Sequence, residues 1–429
     1  MAHHWSNWSG GVVAQPAQIL DVADEAALAA AIRSAAVPVR PVGSGHSFSP
    51  VAAVPGGTLL RLAGFDHVEP LADGDDGARH VRVGAGITLG ALTERLHAMG
   101  HALANMGDID DQTVGGALGT ATHGTGAAFG CYPSMLEALT LIDGMGNRRM
   151  ISRAEEPELF KAMAVGIGTG GVVTEAVIRT VAPYRLERSR YALPIGDMLA
   201  DFEARMAAAR NVEFYYITGS GQALVMESRE TEGDLVARPP DRDQEGLRQL
   251  RLAAKLTRAA PRLRRFALGL ALKGHVKEHF VEDWHKAFPT DRDGIRFNES
   301  EYHLPAEAAP EALKRVIERV ERNFRDVYFP MEVRTVAPDD LWLSPFFERP
   351  TVSIAVHHEA GRPFGALLAE IETIFADYEG RPHWGKMHGL KAGQLRKLYP
   401  KWDEAIAARR ELDPKGLFLT PYMRELLGQ

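Results

Sequence analysis

The chain has 429 residues, more than one ordinary hydrophobic core can organise, so we expect two or three domains. Hydrophobic residues make up 45% and charged residues 24%, as in globular proteins. The formal net charge of −7 argues against a general nucleic-acid binder, which needs a basic surface. A single cysteine, Cys131, excludes both an intrachain disulfide and a cluster of thiolate metal ligands.

The first residues, MAHHWSNWSGG, show neither the basic nor the apolar region of a secretory signal. No apolar run reaches the roughly 18 residues of a membrane-spanning helix. We therefore expect a soluble, cytoplasmic enzyme. Its oligomeric state stays open, and a monomer is compatible with the sequence.

Residues 1–183 alternate short helical and strand patterns. The spacing of apolar residues predicts helices over 27–35 and 87–99, and strands over 37–43, 58–62, 80–83, 135–143 and 171–183. The motif DGMGN at 143–147 predicts a hairpin turn. This layout predicts an α+β fold without the regular βαβ rhythm of a dinucleotide fold. The segment GAGITLG at 84–90 has one residue too many for the dinucleotide fingerprint.

The second half opens with strands and ends with helices. The patterns predict strands over 212–217, 223–227, 327–336 and 351–358, a loop over 229–245, and a helix over 364–378. Residues 247–274 form a basic helical pattern interrupted by Pro261, with eight Lys or Arg and no acidic residue. This segment is either a solvated pair of helices that covers the second domain or a surface that binds a membrane or a partner.

Three glycine-rich segments, at 43–50, 105–126 and 166–175, offer backbone N–H groups that no side chain screens. Such groups suit a pyrophosphate. His46 lies in the first segment, directly after a short predicted strand, so its imidazole is held beside the predicted phosphate site. A single histidine in a glycine loop is more often a structural contact, and the local pattern alone leaves both roles open.

Several long motifs, in order along the chain, resemble those of the vanillyl-alcohol oxidase superfamily, and most closely its sugar-1,4-lactone oxidase and alditol oxidase branch. RPVGSGHSF at 40–48 resembles the flavin-attachment segment, and the two later glycine-rich segments resemble the second and third flavin-binding stretches. MEVRTVAPDDLWLSP at 331–345, GRPHWGKMH at 380–388 and DPKGLFLTPYMRELLG at 413–428 are similar to the branch's substrate-domain and C-terminal signatures. The match is poor over roughly 185–325.

The resemblance implies an α+β, two-domain FAD-binding fold of the vanillyl-alcohol oxidase type. An FAD-binding domain would occupy 1–183, and a substrate domain built on an antiparallel sheet would occupy 184–429, with about 395–429 packing back on the first domain. FAD would be joined through its 8α carbon to His46, and by one link only, because Cys131 lies in no matching motif. The resemblance assigns the following residues to the cofactor: Arg40, Val42, Gly43, Ser44, Gly45, His46, Ser47, Met106, Gly107, Asp110, Thr113, Gly115, Gly116, Gly119, Thr120, His123, Gly124, Gly170, Val172, Val173, His383 and Lys386.

The strand predicted over 327–336 places Tyr328, Glu332 and Arg334 on one face. Taken alone, Glu332 and Arg334 fit a surface ion pair. The resemblance implies instead that both residues are catalytic and line the substrate pocket at the isoalloxazine ring. It also places Lys386 with Arg334 at the flavin N1 edge, where fixed cations stabilise the negative charge left by hydride transfer. No metal site is predicted.

The resemblance implies an FAD-dependent oxidase that transfers a hydride from an aldono-1,4-lactone to flavin N5 and is reoxidised by O2. The alternatives are an alditol oxidase and a lactone dehydrogenase with a protein electron acceptor. Gly107 favours the oxidase, because some relatives with a bulkier residue there react poorly with oxygen. Asp108 and His357 are predicted to contact substrate, although His357 fits a core position equally well. Asp108 favours the lactone, because alditol oxidases have serine there, and His123 is predicted to be a structural contact near FAD.

Overall fold

The computed structural model describes residues 3–72, 74, 77–273, 278–290 and 294–429. The strands are β1 (Trp5–Ser6), β2 (Val13–Ala14), β3 (Gln18–Asp21), β4 (Val39–Val42), β5 (Thr58–Arg61), β6 (Val68–Pro70), β7 (Arg79–Gly84), β8 (Leu136–Asp143), β9 (Arg148–Ser152), β10 (Gly171–Thr180), β11 (Arg185–Pro194), β12 (Asn211–Ile217), β13 (Gln222–Thr231), β14 (Glu278–Asp283), β15 (Phe297–Pro305), β16 (Met331–Val336), β17 (Thr351–Glu359) and β18 (Arg381–Pro382).

The helices are α1 (Glu25–Ser34), α2 (Leu89–Ala98), α3 (Val114–Gly119), α4 (Pro157–Met163), α5 (Ile195–Ala200), α6 (Phe202–Met206), α7 (Asp243–Leu256), α8 (Pro261–Lys273), α9 (Trp284–Ala287), α10 (Ala309–Asn323), α11 (Gly365–Ala376), α12 (Ala392–Leu398), α13 (Trp402–Leu412) and α14 (Pro421–Leu427). Short 3₁₀ helices lie at Pro50–Ala52, Tyr132–Met135 and Ala306–Ala308. In the part of the chain that the structure describes, no helix combines the length and the apolar character needed to cross a bilayer.

Two sheets follow the short β1–β2 pair in the N-terminal part. β3 and β4 both run parallel to the central strand β5, with α1 connecting β3 to β4. The second sheet is antiparallel, in the order β6-β7-β10-β8-β9, and contains the predicted hairpin, in which Ile142 on β8 pairs with Arg148 on β9. The last strand of this sheet in the chain, β10, ends at Thr180, and β11 begins in a different sheet at Arg185.

The remaining strands form one sheet of eight, in the order β14-β11-β13-β12-β16-β17-β15-β18. Neighbouring strands are antiparallel, and the register places Arg334 between Glu213 on β12 and Ser353 on β17. Glu332 likewise lies opposite Tyr215. One face is apolar and packs on α10 and α11 through a cluster that includes Phe214, Met331, Val333, Ile354, Val316 and Ile371.

The C-terminal helices pack against the N-terminal part of the chain. Leu395, Trp402 and Ile406 share one hydrophobic cluster with residues of β7, β8 and α2. Phe418 packs with α1 and β4 in a second cluster, and its carbonyl accepts a hydrogen bond from Arg40 Nη1 at 3.2 Å. These contacts tie the two ends of the sequence together around one core.

The α+β class is confirmed, and the parallel pairing in the first sheet was not predicted. Two predicted details differ from the structure. The predicted loop 229–245 is shorter than expected, because β13 extends into its start and α7 into its end. Gly274, at the end of the predicted basic segment, lies outside the described residues. The strand predicted over 327–336 begins only at Met331, because Pro330 has no N–H to donate. Tyr328 is therefore not on the Glu332 face, and it packs with Phe329 in the same aromatic cluster.

Candidate active site

The second face of the eight-stranded sheet is polar yet buried, because the segment 105–126 lies against it. Asp108 Oδ1 is 3.1 Å from Arg334 Nη2 on β16, and His123 Nε2 is 2.9 Å from Glu301 Oε1 on β15. Thr125 Oγ1 donates to the Val212 carbonyl of β12 at 2.6 Å. Charged side chains of these strands thereby form one largely buried cluster with the segment 105–126, which we call the polar pocket.

Arg334 lies at the centre of this pocket and is shared by three carboxylates. Its Nε donates to Glu213 Oε2 at 2.9 Å, and its Nη2 contacts both Asp108 and Glu332. Burial disfavours the guanidinium cation, but the three carboxylates together raise the pKa of Arg334 well above its ordinary value. Glu213 also accepts a bond from Arg188 Nη2 at 3.2 Å, so two cations hold it in place.

Glu332 is the one carboxylic acid among the three predicted catalytic residues, and its pKa is strongly shifted. Burial raises the pKa of Glu332 to about 8, aided by the negative charges of Asp108 and Glu213 and opposed by Arg334. Glu332 shares the Arg334 guanidinium with Asp108 and Glu213, so its own negative charge is only partly neutralised. The Tyr215 hydroxyl donates to Glu332 Oε1 at 2.6 Å and orients it.

Lys386 follows the short strand β18 and enters the same pocket. Its Nζ is 2.5 Å from Glu299 Oε2 and 3.8 Å from Glu301 Oε2, and it lies over the Phe48 ring at 5.1 Å from the centroid. Burial disfavours the ammonium form, but the attraction of Glu299 and Glu301 outweighs it and raises the pKa of Lys386. The amine is therefore a permanently charged group at neutral pH.

The predicted residues His357 and His123 also reach this face. His357 Nδ1 donates to the Pro330 carbonyl at 3.0 Å, and its Nε2 lies 3.6 Å from Glu299 Oε1, beside Lys386. His123 Nδ1 donates to the Gly124 carbonyl at 2.8 Å and directs Nε2 at Glu301. Burial raises the pKa of Glu301, but the charge of His123, its hydrogen bond and Lys386 outweigh that effect and hold it well below the ordinary value.

A cleft of about 340 Å³ lies between the three glycine-rich segments. At Gly43 an added Cβ would lie 2.0 Å from Thr113 Oγ1, so only glycine lets the first segment approach the second this closely. Apolar side chains, among them Leu139 and Val173, line the cleft beside the glycine backbone. This mixture of bare backbone and apolar walls fits a cofactor with a pyrophosphate and flat rings, which is the chemistry of FAD.

Of the predicted cofactor residues, fourteen line this cleft: Arg40, Val42, Gly43, Ser44, Gly45, His46, Ser47, Thr113, Gly115, Gly116, Gly119, Thr120, Gly170 and Val173. Arg40 uses all three of its nitrogens on the backbone carbonyls of residues 51, 167, 168 and 418, so it braces the wall of the cleft. Burial lowers the pKa of Arg40 to about 10.

The other eight predicted cofactor residues are Met106, Gly107, Asp110, His123, Gly124, Val172, His383 and Lys386. Val172 is fully buried in the core with Ile142 and Phe418, so the structure makes it a packing residue. Gly124 lies against Met106, where an added Cβ would be 2.3 Å from the Met106 carbonyl oxygen. His383 Nδ1 accepts a bond from the Gly385 N–H at 3.0 Å, and burial lowers the pKa of His383 to about 3, so this ring is neutral.

His46 lines the cleft, in a loop that contacts the segment carrying Lys386. Its ring stacks on Trp8, with centroids 5.7 Å apart and planes at 20°, and its Nε2 is 3.9 Å from Asp111 Oδ2. The Trp8 N–H donates to the Gly45 carbonyl at 2.8 Å, and the Phe48 N–H donates to the Gly385 carbonyl at 2.6 Å. The histidine loop is thus fixed between the N-terminal segment and the segment that carries Lys386.

Several residues of the pocket did not stand out in the sequence, namely Glu213, Tyr215, Glu299, Glu301 and Arg188. Strand β15 has the sequence FNESEYHLP, in which small polar residues separate the charges, so it lacks the apolar alternation that predicts a strand. Glu299 and Glu301 are nevertheless two residues apart, and this spacing could have indicated a strand with both carboxylates on one face. The strand containing Glu213 was predicted, but the sequence did not indicate that another segment would pack on its polar face.

Two groups have ligand atoms within 4.8 Å of one another, as a metal site would: His123 with Glu301 and His303, and Glu299 with Glu332 and His357. In the second group Lys386 already faces Glu299 and Arg334 already faces Glu332, so protein cations supply the positive charge that a metal ion would bring. The second group therefore needs no metal ion to balance its negative charge.

The comparisons with known proteins identify the cofactor-binding domain and the fold. A family model described as an FAD binding domain matches residues 16–152. Among solved structures, a cholesterol oxidase from B. sterolicum has a TM-score of 0.81 over 100% of this chain and 97% of that chain, and its 15% identity limits the likeness to the fold. The fold and the site define an FAD-dependent oxidoreductase that acts on a CH–OH donor.

A second family model, described as D-arabinono-1,4-lactone oxidase, matches residues 176–426. The chain belongs to this family. It is 34% identical to an L-gulono-1,4-lactone dehydrogenase of Mycobacterium tuberculosis over 100% of both chains. It is 30% identical to an alditol oxidase of Streptomyces sp. over 98% of both chains, and 28% identical to an L-gulonolactone oxidase of Bos taurus over 96% of this chain and 94% of that one. The predicted branch of the superfamily is confirmed.

Proposed function

We propose that the protein is an oxidase of an aldono-1,4-lactone, with gulono-, galactono- and arabinono-1,4-lactone as candidate substrates. The observation that carries this proposal is the buried cluster in which Arg334 and Lys386 lie among the carboxylates of Asp108, Glu299 and Glu332. Such a set can hold several hydroxyl and carbonyl oxygens of one small carbohydrate in a fixed orientation. The names of the lactone-oxidising relatives support the same substrate class.

The chemistry that FAD would supply when bound is a hydride acceptor for the substrate C–H and a two-electron reductant of O2, with H2O2 as the product. Arg334 and Lys386 would bind substrate oxygens, and their fixed positive charges would favour the negative charge that the flavin gains on reduction. Glu332 accepts the hydroxyl proton of the substrate as the hydride leaves, a role that its raised pKa suits. Tyr215 keeps the Glu332 carboxylate in position through its 2.6 Å hydrogen bond.

We further propose that His46 carries FAD covalently through the 8α carbon. The fixed position of its ring between Trp8 and the cleft supports this attachment. Cys131 is buried, and its Sγ lies 3.4 Å from Asp339 Oδ2, so we propose no second covalent bond from this thiol to FAD. On a denaturing gel the wild-type band should fluoresce under ultraviolet light and the His46→Ala band should not. A dark wild-type band would contradict the covalent link without affecting the assignment of FAD.

The proposed electron acceptor is O2, and the dehydrogenase named among the relatives makes a protein acceptor the alternative. Gly107 is buried, and an added Cβ would lie 3.1 Å from the His123 carbonyl oxygen. We expect Gly107→Ala to slow reoxidation of the reduced flavin by O2 by about tenfold or more while leaving anaerobic reduction within about twofold. Slow reoxidation of the wild type in air would favour the dehydrogenase.

An alditol oxidase is the second candidate substrate class, favoured by the relative that is 30% identical. Asp108 argues for the lactone, because the resemblance places it where alditol oxidases have serine, and its Oδ1 lies 3.1 Å from Arg334 Nη2 in the cluster. The test is anaerobic flavin reduction and aerobic H2O2 release with L-gulono-, L-galactono- and D-arabinono-1,4-lactone, xylitol and sorbitol. A lactone should give the highest kcat/KM, and a preference for a polyol would overturn the proposal.

The division of the chain and its location are part of the same proposal. We place the FAD-binding domain at 1–183 and the substrate domain at 184–429, a boundary supported by the change of sheet between β10 and β11. The contacts of α12 and α13 with the N-terminal core support a return of the last residues to the first domain. A free, buried thiol at Cys131 suits the reducing environment of the cytoplasm.

A further inference from the structure

The helices α7 and α8 present large apolar side chains to solvent. Leu252 and Leu256 on α7 are 56% and 74% exposed, and Leu263, Phe266 and Leu270 on α8 are 56%, 69% and 62% exposed. The outward face of a surface helix in a globular protein is normally polar, because the apolar stripe faces the core. These five side chains, which we call the apolar patch, therefore need a partner.

The spacing of the apolar patch shows that it is not the packing face of either helix. On α7, Leu252 and Leu256 are one turn apart, whereas the packing face is formed by Leu247, Leu250 and Ala254. Those three residues lie nearly half a turn away from the exposed pair, at 100° per residue. The packing face covers the aromatic cluster of Phe48 and Phe297, which borders the His46 loop.

The same separation holds on α8. Leu263, Phe266 and Leu270 follow the spacing i, i+3, i+7 and form one stripe. The inner side of the helix is marked by buried Arg264, whose Nη1 donates to the Arg325 carbonyl at 3.2 Å. Each helix thus has one face for the protein and an opposite apolar face for something else.

Basic residues flank the apolar patch, and no acidic residue lies between 246 and 272. Six of the basic side chains are exposed: Arg248, Arg251, Lys255, Arg258, Arg262 and Arg265. Within the described residues, Arg251 is the one member of this set with a carboxylate partner, Glu359 at 2.8 Å. The other five lie next to apolar side chains, on a chain whose formal net charge is −7.

We propose that α7 and α8 dock the protein on an anionic phospholipid surface. Leucine and phenylalanine side chains enter the headgroup boundary of a bilayer, while flanking arginines attract its phosphates, which is how amphipathic helices bind at an interface. A second copy of this chain fits the patch less well. A two-fold dimer through these helices would bring two sets of unpaired arginines together.

The experiment is co-sedimentation of the full-length, FAD-loaded protein with vesicles of phosphatidylcholine, with or without a quarter phosphatidylglycerol. The wild type should sediment with the anionic vesicles and much less with the neutral ones. Leu263→Gln, Phe266→Gln and Leu270→Gln combined should lower partitioning at least about tenfold. Arg248→Gln, Arg258→Gln and Arg262→Gln combined should lower binding to anionic vesicles by about a hundredfold at low salt.

The matched control combines Val13→Gln, Met145→Gln and Met150→Gln, which replace exposed apolar residues elsewhere on the surface. This control should bind vesicles like the wild type. The proposal is overturned if the wild type stays in solution with anionic vesicles, or if the Leu263, Phe266 and Leu270 variant sediments unchanged. It is also overturned if light scattering finds a dimer that this variant converts to monomer, because the patch would then be a subunit interface. The readout is independent of turnover, so it does not depend on the proposed substrate.

Discussion

Replacing Lys386 by methionine removes one positive charge from the pocket while nearly preserving side-chain volume. The ammonium lies 2.5 Å from Glu299 Oε2 and 3.8 Å from Glu301 Oε2, and burial keeps water away from all three groups. At an effective dielectric constant of about 20, the attraction to Glu299 alone is about 7 kcal/mol before desolvation is subtracted. The substitution should therefore change both stability and the rate of flavin reduction.

The two effects have different expected sizes. Leaving Glu299 buried without its cation should lower the free energy of unfolding by about 3–5 kcal/mol. Losing a fixed cation at the N1 edge should raise the barrier to hydride transfer by about 2.7–4 kcal/mol, which slows flavin reduction about 10²–10³-fold. Urea denaturation measures the first effect, and anaerobic stopped-flow absorbance with a saturating lactone measures the second.

A double variant, Lys386→Met with Glu299→Gln, separates the two effects. Removing the unpaired carboxylate should restore most of the stability, because no uncompensated charge stays buried. Flavin reduction should remain slow, because the cation that acts on the ring is still missing. A single variant that reduces flavin within about threefold of the wild-type rate would refute the reasoning, as would a double variant that regains that rate.

Two further predictions concern pH. Because the pKa of Glu332 is raised to about 8 and its base form is needed, wild-type kcat/KM should increase as the pH rises toward 8 and level off above it. Glu332→Gln should be about 10²–10⁴-fold slower, and its kcat/KM should no longer increase as the pH rises toward 8. If the variant keeps this increase, a group other than Glu332 causes it. His383 has its pKa lowered from 6.5 to about 3 by burial, so the unfolded chain takes up the proton first and stability falls as the pH drops from 6.5 toward 3. At pH 5 the loss is about 2 kcal/mol. His383→Asn retains an acceptor for the Gly385 N–H. Between pH 7.5 and pH 5, the free energy of unfolding of this variant, measured by urea titration, should fall by about 2 kcal/mol less than that of the wild type. An equal decrease in both proteins would contradict the prediction.

Local sequence patterns predicted many of the helices, strands and turns. Helix α1, the β8–β9 hairpin and the break at Pro261 were predicted from periodicity and turn residues, because these signals act within a few residues. The parallel pairing of β3 with β5 was not predicted, since a short strand's sequence does not say which distant strand it joins. The start of β16 was predicted four residues early for a simpler reason, the missing N–H of Pro330.

For the site, the glycine-rich segments, His46 and the residues Glu332, Arg334 and Lys386 could be predicted, because each belongs to a contiguous motif. The position of Glu213 and Glu299 beside Arg334 and Lys386 depends on strand pairing and could not be predicted. Alternation along a strand places a charged residue on one face, but it does not say what covers that face. Here the segment 105–126 covers it, and this contact between distant parts of the chain turns what would be surface ion pairs into a buried network with shifted pKa values.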